Sequence, residues 1–386
     1  MDLLEYQGKQ LFARSGVSVP DGEPARDVET AVAAADRIGY PCVIKAQVLI
    51  GGRGKAGGIK VAKNAGEARA HAEAIIGMDI SGPHGEGPFR VGEVWVEGAS
   101  EIDAEYYASI ILDRSAKKPL AILSRMGGMN VEEIADKDPD ALVKRHIEPA
   151  AGLSLDDARQ LAVDAQIDED VVESLAETMV KLYEAFGSND ATLIEVNPLI
   201  VTSARTVVAL DAKVTVDNSA LYRQEELSAI EDEPQDEQER MAKQKGLTYV
   251  KLDGDIGILG NGAGLCMSTL DVVANAGGAP ANFLDAGGGS KADAIVDALE
   301  VITSDPKVKA VLFNIFGGIT RCDEVAGGII EAYRRVDINV PLVVRLDGTN
   351  SEQGLGMLAE SDLGNLHVEK TMLGAAEAVV DLAGKG

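Results

Sequence analysis

The segment Ile256-Gly-Ile-Leu-Gly-Asn-Gly-Ala-Gly264 runs from a short apolar stretch into a glycine-rich turn, and the helical pattern Leu265–Ala276 follows it. From this point to the C-terminus, short apolar stretches alternate with helical patterns. Such alternation predicts parallel strands joined by crossover helices, because parallel neighbours need a long connection. Ligands of such sheets lie at the carboxyl ends of the strands. We therefore predict an α/β fold with a doubly wound parallel sheet for 246–386.

Three glycine turns in this half each follow a predicted strand and precede a helix. They are Gly260–Gly264, Asp285–Gly289 and Phe316–Thr320. Backbone amides and helix dipoles at such turns favour anions, although tight chain reversal alone explains each turn equally well. The first turn is weak evidence for dinucleotide binding, because Met267 occupies the third glycine position of that fingerprint.

An acidic stretch separates this half of the chain from the first half. Eight acidic residues stand in 225–245. A segment of this composition cannot bury enough apolar surface to fold by itself. We therefore predict a first domain at 1–224, an acidic linker at 225–245 and a second domain at 246–386. Within the first domain, the longest helical pattern runs from about Ser154 to Phe186.

The charge balance excludes several classes of function. The 386 residues include 36 Lys and Arg against 63 Asp and Glu, which is a formal net charge of −27. So large a negative charge repels nucleic acids and anionic lipid surfaces. No apolar run approaches the roughly 18 residues that span a bilayer, and the start of the chain does not resemble a secretory leader. We expect a cytoplasmic protein that binds neither nucleic acid nor membranes.

The cysteines give no sign of a metal site or of a disulfide framework. Cys42, Cys266 and Cys322 are far apart and lack the CxxC spacing of zinc sites. We expect them to be reduced thiols.

A glycine-rich segment in the first half has the composition of a phosphate site. The segment Gly51-Gly-Arg-Gly-Lys-Ala-Gly-Gly58 lies between two predicted strands, and Lys45 is on the strand before it. Glycines let backbone amides approach an anion closely. The segment is not a Walker A loop, because Leu49 and Ala56 replace residues which that loop requires. The alternative to a nucleotide site is a solvated surface turn.

A predicted hairpin brings oxygen ligands together. Its strands are Thr192–Val201 and Val207–Val214. If the end of the first strand pairs with the start of the second, Asn197 faces Asp211, and Glu195 lies on the same face because side chains alternate with a period of two. Facing side chains start about 5 Å apart, close enough for both to hold one Mg²⁺, which prefers a few protein oxygens plus water and phosphate.

Two other interpretations of the hairpin remain open. The polar face is equally typical of an amphipathic hairpin that turns one side to solvent. Pro198 favours an edge strand or a local bulge, and a bulge would shift the register.

Several segments spread over the whole chain form one ordered pattern. They are Leu4-Glu-Tyr-Gln, Lys45-Ala-Gln-Val, Gly51 to Gly58, Glu195-Val-Asn-Pro-Leu, Asn261-Gly-Ala-Gly-Leu, Asn282-Phe-Leu-Asp-Ala-Gly-Gly-Gly and Asn314-Ile-Phe-Gly-Gly-Ile-Thr-Arg-Cys-Asp. In order and spacing this pattern resembles the succinate–CoA ligase (succinyl-CoA synthetase) β subunits. The resemblance implies an N-terminal ATP-grasp domain followed by a flavodoxin-like CoA-ligase domain.

The resemblance also implies an activity and a partner. The family converts succinate, CoA and a nucleoside triphosphate reversibly to succinyl-CoA, diphosphate and phosphate, a step of the tricarboxylic acid cycle. The phosphate passes through a phosphohistidine of a separate α subunit, which also binds most of the CoA, in an αβ or α2β2 assembly. His84 of this chain is therefore not expected to carry phosphate. ATP is favoured over GTP by Pro20 alone, and malate or another acid, or a subunit that binds nucleotide without chemistry, remain alternatives.

Site residues carried over from the family fall into four groups. The nucleotide would be bound by Lys45, Gly52, Arg53, Gly54, Glu97, Ser100 and Glu105. Mg²⁺ would be held by Asn197 and Asp211, and Glu195 would orient the partner's imidazole. The succinyl phosphate would face Asn261, Gly318, Ile319 and Thr320.

Overall fold

The computed structural model divides the chain into two compact units, Met1–Asp232 (unit 1) and Glu233–Gly386 (unit 2). It describes residues 1–82, 87–230, 236–287 and 292–384. The division falls inside the predicted linker 225–245. Part of that stretch is helical, and Ala242 within it is buried in the core of unit 2.

Unit 1 is built from antiparallel sheets with helices packed on them. Its helices are α1 Glu5–Arg14, α2 Val28–Ile38, α3 Ala65–Ile75, α4 Val131–Lys137, α5 Leu155–Asp164, α6 Val172–Ser188 and α7 Glu225–Ser228. Its strands are β1 Gly22–Ala25, β2 Cys42–Ala46, β3 Ile59–Ala62, β4 Asp79–Ile80, β5 Phe89–Arg90, β6 Val94–Gly98, β7 Ile102–Asp113, β8 Lys118–Ser124, β9 Val143–His146, β10 Ala191–Thr202, β11 Val207–Ala209 and β12 Lys213–Val216.

Two sheets of unit 1 carry the predicted site residues. The smaller sheet has the strand order β1-β6-β2-β3, and α2 and α3 pack on it. The larger sheet has the order β11-β10-β7-β8-β9, with β12 also paired to β10. One face of the larger sheet packs on α5 and α6, and the other packs on α4. The larger sheet is therefore covered on both faces.

The hairpin has the predicted register. Val201 pairs with Val207, and Glu195 pairs with Lys213. Pro198 lies in an irregularity of the β10–β7 ladder, so the bulge is found rather than the edge strand. The bulge does not shift the hairpin register, because pairing resumes in step on both sides of it.

The prediction of one helix over Ser154–Phe186 was wrong. The chain forms α5 and α6, which pack against each other, with a turn between them. Gln166 has a φ of 55°, and its amide and that of Ile167 cap the end of α5 on the carbonyl oxygens of Val163 and Ala162. The end of α5 could not be predicted from the sequence, because the residue with left-handed backbone is Gln166 rather than the Gly or Asn that usually marks a helix end.

Unit 2 has the predicted doubly wound parallel sheet. Its strands are β13 Thr248–Lys251, β14 Ile256–Gly260, β15 Asn282–Asp285, β16 Ala310–Gly317, β17 Leu342–Gly348 and β18 Leu366–Val368. Its helices are α8 Glu237–Gln244, α9 Ala263–Asn275, α10 Ala292–Thr303, α11 Cys322–Arg335, α12 Ser351–Glu360 and α13 Met372–Ala383.

The strand order confirms the flavodoxin-like topology. The order is β13-β15-β14-β16-β17-β18, and the strands are parallel except for β13. Without β13, this is the 2-1-3-4-5 order of flavodoxin-like sheets. Helices α9 and α13 cover one face, and α8, α10, α11 and α12 cover the other. The antiparallel edge strand β13 was not predicted.

None of the described helices is both long and apolar enough to cross a bilayer. The three cysteines are buried and free of disulfides.

Candidate functional site

Lys45 lies on β2, and its ammonium group contacts three oxygen atoms of the protein. Nζ donates hydrogen bonds to Glu5 Oε1 at 2.9 Å and to the carbonyl oxygen of Leu210 at 2.8 Å, and lies 2.6 Å from Glu97 Oε1. The ammonium therefore makes two hydrogen bonds and one ion pair. Burial opposes the charged form, but Glu5, Glu97 and Asp211 together raise the pKa of Lys45. Lys45 is therefore a fixed positive charge.

Arg53 extends from the glycine-rich segment into the interior, with an exposed fraction of 7%. Nη1 donates to Glu5 Oε2 at 2.5 Å and to the carbonyl oxygen of Ala46 at 3.1 Å, while Nη2 donates to Asp211 Oδ1 at 2.8 Å. The neighbouring Gly52 is exposed. The glycine-rich segment thus has exposed backbone next to the guanidinium of Arg53, which buried acceptors hold in place.

Glu97 is fully buried at the end of β6. Its Oε2 accepts a hydrogen bond from Trp95 Nε1 at 2.8 Å, and the ammonium group of Lys9 pairs with the same oxygen. Lys9 Nζ also lies 2.7 Å from Glu5 Oε1. The carboxylate of Glu97 therefore faces Lys9, Lys45 and Trp95 in the interior.

The other residues predicted to bind nucleotide lie at the surface or close to it. Gly54 is exposed in the turn that holds Arg53, Ser100 is half-buried after β6, and Glu105 is exposed on β7. Among the described residues, no hydrogen bond or ion pair joins the side chains of Ser100 and Glu105 to Lys45 or Arg53, whereas Gly54 directly follows Arg53 in the chain.

Glu5 and Lys9 were missed by the sequence analysis. They stand one turn apart on α1, with side chains 1% exposed. Charged residues in a terminal helix are usually solvated. The sequence did contain one signal. Glu5 and Lys9 are spaced i, i+4, and Phe12, a core residue three positions after Lys9, lies on the same face of the helix.

Asn197 and Asp211 occupy facing positions of the hairpin. The ladder opens between them, and the pairs on both flanks keep one register. Asn197 Oδ1 accepts from the amide of Gly128 at 2.8 Å, and Nδ2 donates to the carbonyl oxygen of Met129 at 2.7 Å. Asp211 Oδ1 accepts from Arg53. A half-buried amide oxygen and carboxylate are hard oxygen donors, so this pair fits Mg²⁺ with water and phosphate as further ligands.

Glu195 lies on the face of the larger sheet that packs on α4. Tyr107 donates its hydroxyl hydrogen to Glu195 Oε2 at 3.0 Å. Burial raises the pKa of Glu195, and the nearby Asp211 acts in the same direction, while Lys213 and the Tyr107 hydroxyl oppose it. A half-buried carboxylate held by a hydroxyl group is suited to accept a hydrogen bond from an imidazole.

A second glycine turn, Gly127–Gly128, supports this site and was also missed. The amide of Gly127 donates to the carbonyl oxygen of Glu105 at 3.1 Å, and that of Gly128 donates to Asn197. Gly128 has a φ of 72°, and a Cβ there would lie 2.9 Å from Glu105 Oε2. The signal in the sequence was a Gly-Gly pair between a strand and a helix.

In unit 2, the predicted substrate residues lie at the carboxyl edge of the sheet. Asn261 Nδ2 donates to the carbonyl oxygen of Phe316 at 2.9 Å, and its Oδ1 accepts from the amide of Phe316 at 2.9 Å. This pair ties the turn after β14 to Phe316 at the end of β16, just before the turn that holds Gly318 to Thr320. Gly318 and Ile319 are exposed in the second turn, whereas Thr320 is buried.

The turn after β15 differs from the other two. Asp285 Oδ1 accepts hydrogen bonds from the amides of Gly262 at 2.6 Å and Gly287 at 2.8 Å. These amides are occupied by a carboxylate of the protein itself. Residues 288 and 289 of the predicted turn, and His84 in unit 1, lie outside the described residues.

Comparison with known families gives one match for each unit. An ATP-grasp domain model matches residues 2–201, and a CoA-ligase model matches residues 259–379. The ADP-forming succinate–CoA ligase subunit beta of Rubrobacter xylanophilus is 50% identical over 387 residues, covering 100% of both chains. The corresponding subunit of Persephonella marina is 45% identical, again over 100% of both chains.

A solved structure supports the fold. The ATP citrate lyase of Methanothrix soehngenii superimposes with a TM-score of 0.73 over 100% of this chain and 99% of that chain. At 18% sequence identity, this likeness concerns the fold alone.

Proposed function

The chain belongs to the family of succinate–CoA ligase β subunits, and from this premise we propose that its buried cations grip a nucleoside triphosphate and pass its phosphate to a histidine of an α subunit. As a member of this family it is part of a ligase that forms carbon–sulfur bonds. The observation that carries the proposal is the contact of Lys45 and Arg53 with one carboxylate, beside the facing pair Asn197 and Asp211.

The nucleotide end would work by charge cancellation. Phosphoryl transfer needs alignment of the phosphates and compensation of the negative charge that develops on them. Lys45 and Arg53 supply fixed charges, and Gly52 and Gly54 expose backbone close to them. Asn197 and Asp211 would hold Mg²⁺, which supplies further charge compensation. Lys45 makes two hydrogen bonds and one ion pair with groups of the protein, and a phosphate oxygen would join or replace these partners.

Glu195 would orient the incoming imidazole. Its carboxylate is held by Tyr107 and lies within the electrostatic reach of Asp211. A carboxylate that accepts the hydrogen of one imidazole nitrogen leaves the other nitrogen ready to attack the phosphate. The histidine belongs to the proposed α subunit.

The acyl end would lie in unit 2. Asn261 holds Phe316 at the end of β16, directly before the turn with Gly318, Ile319 and Thr320. A turn with exposed backbone at the end of a parallel strand suits the anionic succinyl phosphate. We assign ATP as the nucleotide, because the relatives are named as ADP-forming, and the CoA to the partner subunit. The cytoplasm is the proposed location, because free thiols persist in a reducing compartment.

Labelled phosphate tests the whole proposal. The chain is co-expressed with a candidate α subunit and incubated with Mg²⁺ and γ-labelled ATP or GTP. We expect acid-labile label on the α subunit, and formation of succinyl-CoA when succinate and CoA are added. Glu195→Gln should slow labelling and leave nucleotide affinity nearly intact. Lost nucleotide affinity with normal labelling would reverse the assignment of Glu195. Label on the β chain would contradict the proposal that a histidine of the α subunit carries the phosphate.

A further inference from the structure

Glu5 is a buried carboxylate that contacts three cations. Its oxygens lie 2.7 Å from Lys9 Nζ, 2.9 Å from Lys45 Nζ and 2.5 Å from Arg53 Nη1. Its exposed fraction is 3%. An ionised carboxylate is stable in such a place only when it is paired and hydrogen-bonded. The three cations lower the pKa of Glu5 far below its usual value despite burial.

The cluster around Glu5 is electrically balanced. It joins three cations to three carboxylates, which are Lys9, Lys45 and Arg53 with Glu5, Glu97 and Asp211. Lys45 comes from β2 and Arg53 from the glycine-rich segment. Glu5 is the acceptor that both of them contact among the described residues.

The cluster has an inner and an outer side. The side chain of Glu5 is 1% exposed, whereas that of Asp211 is 34% exposed. Arg53 reaches from one to the other, with Nη1 on Glu5 and Nη2 on Asp211. A ligand that reaches the cluster from solvent therefore meets Asp211 before Glu5.

We propose that Glu5 is a positioning residue of the nucleotide site, which holds the Lys45 ammonium and the Arg53 guanidinium at a fixed spacing for adjacent phosphates. This role rests on the proposed function. Lys9 balances the charge of Glu5 and Glu97 without touching Lys45 or Arg53 in the described structure. Glu5 itself touches no phosphate; it acts through the two cations.

Glu5→Gln tests this role in the full-length chain. Glutamine keeps the shape, but its amide donors face cations, so at least one charge-assisted contact is lost. We expect the Kd for Mg-ADP to rise about tenfold or more, since such a contact contributes about 1.5 to 3 kcal/mol. Calorimetry measures the affinity. Trp95, the one tryptophan of the chain, reports on the cluster by its emission, because it donates to Glu97 and stacks on Tyr6 at 5.7 Å.

Two variants separate positioning from a general loss of stability. Lys9→Met removes a buried charge from the same helix, and its effect on the Kd should be clearly smaller than that of Glu5→Gln. Asp305→Asn removes a buried carboxylate of unit 2 that pairs with Lys251. It should lower the melting temperature without changing nucleotide affinity. In the complex with the α subunit, Glu5→Gln should raise the KM for ADP and leave the KM for succinate unchanged.

Each outcome decides between the possibilities. Should Glu5→Gln fail to fold, Glu5→Asp carries the test, because it keeps the charge but is one methylene too short to reach both cations. An intermediate Kd supports positioning, and a wild-type Kd in either glutamate variant that folds overturns it. A wild-type chain that binds no Mg-ADP would instead overturn the proposed function, and the role of Glu5 with it.

Discussion

Arg53 and Asp211 stand 158 positions apart in the chain, yet Arg53 Nη2 donates a hydrogen bond to Asp211 Oδ1 at 2.8 Å. The bond ties the glycine-rich segment to the hairpin of the larger sheet. It also places a fixed positive charge on a carboxylate that we assign to Mg²⁺. A Mg²⁺ bound there would compete with the guanidinium for the oxygens of Asp211 or share them, and metal binding would then be coupled to the position of the segment.

Asp211→Asn should raise the Mg²⁺ concentration needed for half-maximal nucleotide binding by about tenfold or more, because a neutral amide oxygen attracts a divalent cation less than a carboxylate does. Nucleotide titrations at a series of Mg²⁺ concentrations measure this shift. Asp217→Asn is the matched control, since Asp217 caps the short 3₁₀ helix that begins at Asn218. An unchanged Mg²⁺ requirement in Asp211→Asn would show that Asp211 is not a metal ligand.

Tyr107→Phe should slow phosphorylation of the partner histidine by about fivefold, which corresponds to about 1 kcal/mol for one neutral hydrogen bond. The reason is that Tyr107 holds Glu195 in one orientation. Rapid-quench measurement of labelled phosphate gives the rate. Tyr106→Phe is the control on the same strand, since Tyr106 packs in the core on the opposite face of the sheet. Equal rates for the two variants would remove Tyr107 from the site.

Asn261→Ala should raise the KM for succinate by about tenfold, because Phe316, at the end of β16, loses both hydrogen bonds to the Asn261 side chain. Steady-state assays with the α subunit measure this constant, and the Kd for Mg-ADP should stay at its wild-type value. Ser268→Ala, on the helix that follows, removes only a bond within that helix and serves as the control. A change in nucleotide affinity alone would contradict the assignment of Asn261 to the acyl end.

Much of this architecture can be predicted from the sequence where one local rule dominates. The hairpin register follows from pairing the end of its first strand with the start of its second, which places Asn197 in the position that faces Asp211. The helices of unit 2 follow from their apolar pattern, and the helical pattern Leu265–Ala276 is found as α9 Ala263–Asn275. In both cases burial of one face determines where the residues lie.

Other features depend on contacts between distant parts of the chain. Glu5 and Lys9 belong to a helix whose sequence is compatible with solvent, and their burial depends on Lys45 and Glu97, which are far away in the chain. No local pattern encodes that pairing. The support that Gly128 gives to Asn197 is likewise visible only in three dimensions, because it joins β10 to a turn after β8.

The stability of unit 1 should depend on pH through Asp190. Arg223 and Gln224 donate hydrogen bonds to Asp190 and lower its pKa to about 2 from 3.8. A carboxyl group whose pKa is lower in the folded state than in the unfolded state stabilises the folded state at any pH above its unfolded pKa. This stabilisation is lost as the pH falls from about 4 to about 2. Asp190→Asn should therefore be less stable than the wild type by about 1 kcal/mol at neutral pH.

The difference between the two proteins should shrink as the pH falls below about 4, where the wild-type carboxyl group takes up its proton. Urea midpoints followed by Trp95 emission between neutral and acid pH measure it. Glu177→Gln, at an exposed position of α6, serves as the control. A difference that stays constant with pH would mean that Asp190 contributes by shape rather than by charge.

Gly128→Ala should lower the stability of the fold and weaken Mg²⁺ binding, because the backbone of Gly128 supports Asn197. The φ of 72° is unfavourable for any residue with a Cβ, and the added carbon would lie 2.9 Å from Glu105 Oε2. We expect a loss of about 1 to 2 kcal/mol in the free energy of unfolding, together with a higher Mg²⁺ requirement, because the amide that fixes Asn197 moves. Gly187→Ala is the control, since that helical glycine has open space around it. If Gly128→Ala loses stability but keeps the wild-type Mg²⁺ requirement, Asn197 is held without this turn.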